Sequence, residues 1–128
     1  MAKEKIIIIT TDNELSVREM ERDSDGSFLA ELWDVVGGFI EIVHPIRLEP
    51  PYVMICNDEG RVLQLPRNRA ASIIYGADEH GCPILGNIAI MKEGYYESEP
   101  DIIGLSQGDV NGLVAHFMNS FKFLRGAS

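Results

Sequence analysis

The first segment, Lys5 to Thr11, carries β-branched residues one after another, bounded by charge, and reads as a buried strand. Glu14 to Met20 alternates polar and apolar, the period of a strand with one wet face, and Asp12-Asn13 between the two reads as a hairpin turn. After a polar break at Arg22 to Gly26, Ser27 is placed to cap a short helix. Its apolar stripe is Phe28, Leu29, Leu32, Trp33 and Val36. Gly37-Gly38 ends this helix by supplying backbone freedom, and Phe39 to Val43 resumes strand character with Glu41 as its only polar interruption.

Three prolines between His44 and Pro51 make that segment irregular or edge structure. Tyr52 to Cys56 is the next strand, Asn57-Asp58-Glu59-Gly60 a turn, and Arg61 to Leu65 its expected hairpin partner. Pro66 suits a helix's first turn, and Asn68 to Tyr75 continues that helix. Ala77 to Pro83 reads as a polar loop, Ile84 to Met91 as a strand and Glu93 to Asp101 as an acidic loop. Ser106 and Asp109 form a capping box in which Asp replaces the usual Glu or Gln. Behind it Val110, Leu113, Val114, Phe117, Met118, Phe121 and Leu124 recur at helical spacing. The expected architecture is a single α+β domain over residues 1–128. It has a mainly antiparallel sheet and about three helices packed on one face, including a long amphipathic C-terminal helix.

Composition narrows the functional classes. The chain has 128 residues, 45% hydrophobic and 24% charged, enough for a packed core without disulfides or metal. Twenty Asp and Glu against 11 Lys and Arg give a net charge of −9, which argues against general binding to phosphate backbones. The longest apolar run, Ile6 to Ile9, is far short of the ~20 residues that span a bilayer. Met1 to Lys5 carries no secretory pattern, so a cytoplasmic protein is expected. Cys56 and Cys82 match no metal spacing and read as free thiols. The acids from Asp12 to Asp25 are shared among a turn, a strand and a loop, so they read as a solvated edge that discourages aggregation.

Catalytic signatures are absent: there is no GxSxG, HExxH, P-loop or GxGxxG motif, and no readable nucleophile–base pair. No cofactor or metal is implied. Asp78-Glu79-His80-Gly81-Cys82 offers mixed donors on a short loop without a standard ligand geometry, and reads as solvated. The suggestive stretch is Arg61 to Arg69. Arg61, Arg67 and Arg69 are three of eleven basic residues in an acidic chain, and Arg67, Asn68 and Arg69 stand at an expected helix start. Free N–H groups there favour an anion, and guanidinium forks match phosphate or carboxylate. These four residues are the candidate ligand contacts. The competing reading is that the arginines offset nearby acids such as Asp58, Glu59 and Asp78.

The ordered blocks Gly37-Gly38-Phe39-Ile40-Glu41, Asp58-Glu59-Gly60, Asn68-Arg69-Ala70-Ala71 and Gly86-Asn87-Ile88 resemble an uncharacterised family of small proteins of phages, prophages and plasmids of Gram-positive bacteria. The matching blocks run from Gly37 to Met91. The resemblance implies context and no activity: a cytoplasmic accessory protein of a mobile element.

The leading expectation is a non-enzymatic binding protein of mobile-element origin that acts on a host process or defence. One concrete form sequesters a small anionic or nucleotide-like ligand. The alternatives are a protein–protein inhibitor that meets a host protein through an acidic surface, and a small enzyme of unknown reaction. Accessory proteins of this size often build sites between subunits, so a homodimer or higher oligomer is expected.

Overall fold

The structure is a computed structural model that describes residues 4–120. Six strands and four helices follow in the order β1 (Glu4–Ile9), β2 (Leu15–Met20), α1 (Leu29–Val36), β3 (Ile40–Val43), β4 (Tyr52–Asn57), α2 (Arg69–Tyr75), α3 (Ala77–His80), β5 (Ile88–Tyr96), β6 (Glu99–Ile103) and α4 (Gln107–Ser120). All strands lie in one antiparallel sheet of order β2-β1-β5-β4-β3. The N-terminal half of β5 pairs with β1, and its C-terminal half pairs with β6. The domain is therefore α+β with a C-terminal helix.

The period of two divides the central strands between two cores. Ile6, Ile8, Val53, Ile55, Ala89 and Met91 pack beneath α1 with Phe28, Leu32, Val35 and Val36. Ile7, Ile9, Met54, Cys56, Ile88 and Ile90 face the opposite way, against Ala70, Ala71 and Ile74 of α2 and Val110, Leu113 and Phe117 of α4. Helices thus cover both faces rather than the single face expected. This is why Ile6 to Ile9 shows no polar alternation: every position meets a core.

Several local expectations shift, each for a physical reason. The stripe of α1 is rotated: Leu32, Val35 and Val36 are buried, whereas Leu29 and Trp33 are exposed, and Trp33 rests edge-on against Phe39 at 5.2 Å. Arg61 to Leu65 is not a strand. Both flanks of β4 are occupied by β3 and β5, so the chain after Gly60 folds on itself through Leu63 N–H to Glu59 O (2.9 Å) and Leu65 N–H to Gly60 O (3.0 Å). The expected acidic loop at 93–101 is instead the β5–β6 hairpin. Its turn uses Glu97 and Ser98 at φ of +51° and +68°, with no glycine or asparagine to signal it in the sequence. The expected loop at 77–83 opens with the single turn of α3. Phe121 and Leu124 lie outside the described residues.

The capping box of α4 forms in both directions. Asp109 N–H donates to Ser106 Oγ at 3.0 Å, and Ser106 N–H donates to Asp109 Oδ2 at 2.9 Å. Two further donors converge on this carboxylate, Tyr52 Oη at 2.8 Å and Lys92 Nζ at 2.6 Å, so the cap also ties α4 to β4 and β5. Burial alone would raise the Asp109 pKa. The hydrogen bonds from Lys92, the Ser106 backbone and Tyr52 outweigh it and hold the carboxyl well below the usual carboxylate range. A depressed folded-state pKa contributes stability that is fully present above the unfolded value, about pH 4, and is lost as pH falls below it. Asp109→Asn should therefore be less stable than the parent at pH 7. The gap should narrow as urea midpoints are read from about pH 5 down to about pH 2.

Candidate functional site

The chain around the candidate residues is pinned before any ligand chemistry begins. Gly86 N–H donates to Pro66 O (2.7 Å) and Asn68 N–H to Ile84 O (2.9 Å), lashing residues 66–68 to 84–86. Ser72 Oγ donates to Asn68 O at 2.6 Å and accepts from Ile84 N–H at 2.9 Å. Asn68 itself is fully buried. Its Nδ2 donates to Ile9 O (2.9 Å) and Gly86 O (3.0 Å), and its Oδ1 caps α2 by accepting from Ala71 N–H (3.0 Å).

Asn68 is thus no ligand contact, because none of its polar atoms is accessible. It aims the two arginines on either side of it. The helix end adds little, since α2 has only 7 residues and Asn68 Oδ1 already takes up one of its N-terminal donors, Ala71 N–H.

Arg67 and Arg69 are exposed, and neither guanidinium has a hydrogen-bond or ion-pair partner among the described residues. Both line one cavity of about 330 Å³, together with Ser72, Ile73, Ala77 and Asp78. Arg22 and Arg47, by contrast, are engaged. Arg22 lies between the rings of Phe28 and Tyr96, 4.3 and 3.7 Å from their centroids, and pairs with Glu4 and Asp101. Arg47 grips Asp78 with a two-pronged fork (2.9 and 2.8 Å) and also donates to Ile73 O. Its pKa is raised, first by the hydrogen bond to Asp78. The Asp78 carboxylate in the cavity wall is therefore already held by another cation, so Arg67 and Arg69 do not serve to neutralise it.

Arg61 is not brought to this site. It sits on the 58–64 turn, its guanidinium 3.7 Å from Cys82 Sγ, beside a separate cavity of about 360 Å³ that Glu41, Asp58 and Glu59 also line. That acidic lining does not suit an anion. Among the described residues no group of three or more His, Cys, Asp and Glu could hold a metal ion.

Cys56 borders this second cavity from the core side. Burial first, then the charges of Glu41 and Asp58, push its thiol up to about 12, whereas Cys82 is exposed. Since the thiolate is the reactive form, a disulfide reagent at pH 8 should titrate one thiol in the native protein and two in denaturant. Rapid reaction of both under native conditions would contradict the burial of Cys56.

The glycines and the asparagine–aspartate turn of the blocks that carry the sequence resemblance have architectural roles. Gly37 closes α1 at φ of +83°. Asn57 Nδ2 donates to Val36 O at 3.0 Å, its Oδ1 accepts from Glu59 N–H at 2.7 Å, and Asp58 N–H donates to Phe39 O at 2.8 Å. Gly86 takes φ of +85°, and a Cβ there would come 2.9 Å from Leu65 Cδ1.

The model of one protein family, described as a domain of unknown function (DUF3846), matches residues 3–118. The chain belongs to the DUF3846 family. No curated protein matches this DUF3846 chain. Among solved structures its fold is similar to part of one described as the crystal structure of small RNA methyltransferase HEN1, with a TM-score of 0.56 and 14% identity. The match covers 91% of this chain and 16% of that one, and at this identity it is a likeness of fold. No helix among the described residues is long and apolar enough to cross a membrane.

Proposed function

We propose that this DUF3846 domain is a non-enzymatic binding protein that sequesters a small anionic, nucleotide-like ligand through Arg67 and Arg69. The observation that carries the reading is the pair of guanidinium groups on one cavity, without partners among the described residues, in a chain of net charge −9. Acids outnumber bases, and Arg22, Arg47 and Lys92 all have carboxylate partners, yet these two are left facing solvent on a pinned backbone. Guanidinium forks held this way match a phosphate or carboxylate. In this reading the protein is a cytoplasmic accessory of a mobile element, assembles as a homodimer or higher oligomer, and acts by removing a host signal from solution.

A protein of this kind retains ligand through purification. Mass spectrometry of small molecules released on denaturation should find an anionic compound in stoichiometric amount and chemically intact, and adding it back should raise the thermal midpoint. Recovery of no bound anion, with no stabilisation by any nucleotide or sugar phosphate, would overturn the reading.

A further inference from the structure

We infer that a second ligand site, for a small organic amine with an apolar body, lies between the 44–51 connection and α4. A cavity of about 630 Å³ opens there, within the range of small-molecule sites, and it shares no lining residue with the cavity at Arg67 and Arg69. The buried side chains of Leu48 and Leu113 supply apolar surface, and Gly112 of α4 also lines it.

Nothing among the described residues requires glycine at position 112. It is inside a helix, where glycine is the poorest residue after proline, its φ is not positive, and a Cβ would meet nothing within 4 Å. What the missing side chain leaves is bare helix backbone facing the cavity.

The polar groups at this cavity select the charge of the occupant. The hydroxyl proton of Tyr52 is committed to Asp109, so Tyr52 can offer a ligand only lone pairs. Glu49 is exposed, and its carboxylate has no partner among the described residues. The guanidinium of Arg47 is occupied by Asp78, Glu79 and Ile73 O. His116 also lines the cavity. Acceptors over an apolar floor fit an ammonium group carried on a hydrocarbon or aromatic body, and disfavour an anion.

Titration of the isotope-labelled protein with phenethylamine at pH 7.5, followed by amide chemical shifts, tests this directly. Saturable shifts at Gly112 and Leu113 are expected with phenethylamine and not with phenylacetate, the same body with the opposite charge. Glu49→Gln should weaken the amine about tenfold, through loss of one charge-assisted contact. Gly112→Leu should abolish binding without lowering the thermal midpoint, because leucine is the better helix former. Equal binding of phenylacetate, an amine affinity unchanged by Glu49→Gln, or no saturation with the amine would each overturn the site. If Gly112→Leu lowers the thermal midpoint, the surface substitution Glu49→Gln decides alone. Neither result touches Arg67 or Arg69, so this site and the anion site stand or fall separately.

Discussion

Phe117→Ala should destabilise the fold by about 3–5 kcal/mol, the range for truncating a fully buried phenylalanine. Phe117 is completely inaccessible and belongs to the cluster that joins α4 to Ile7, Ile9, Ile88 and Ile90 of the sheet. The cost combines lost transfer free energy with a cavity that neighbours on the sheet cannot close, because their positions are set by the β1–β5 register. Urea denaturation monitored by the circular dichroism of the helices would report it. A loss below about 1 kcal/mol would mean that α4 does not dock as described.

Asn68→Ala should cost about 2–4 kcal/mol, although asparagine is small and polar. The substitution removes the cap of α2 and leaves the carbonyls of Ile9 and Gly86 buried without their donor. Asn68→Asp should be no better. It keeps an acceptor for Ala71 N–H but loses both N–H donors and places a carboxylate among carbonyl oxygens. Thermal or urea midpoints read the difference, and near-neutral effects of both changes would remove Asn68 from its structural role. Anion affinity in folded Asn68 variants is expected to fall only as far as the 66–72 backbone loosens.

Legibility in the sequence followed the range of the forces involved. The β1–β2 hairpin, the α4 cap and the strand around Val53 are local patterns, and they formed as their residues imply, whereas the strand expected at Ile84 to Met91 begins at Ile88 and runs on to Tyr96. The fate of Arg61 to Leu65 depended on whether β4 had a free edge, which no local pattern encodes. The β5–β6 hairpin was hidden because Glu97 and Ser98 carry no turn signature, and the alternation of acids with Tyr95 and Tyr96 resembled a loop. At the site, arginines near a helix start were visible, but the spacing could not show that Asn68 turns inward while Arg67 and Arg69 turn out. Nor could it show that Arg61 lies in a different cavity. The links from Tyr52 and Lys92 to Asp109 join residues 57 and 17 positions apart and had no sequence signal beyond the capping box.

The reading of function rests on two arginines, and isothermal titration with adenosine monophosphate as a nucleotide-like probe tests them most directly. Arg67→Ala and Arg69→Ala should each weaken binding about 10- to 150-fold, the equivalent of about 1.5–3 kcal/mol for a hydrogen bond to a charged group. Lys should substitute poorly at either position, since a point charge cannot reproduce the fork. Urea stability should stay within about 0.5 kcal/mol of the parent, as expected for exposed side chains. Binding that is undetectable at millimolar probe, or that is unchanged when both arginines are replaced, would contradict the account.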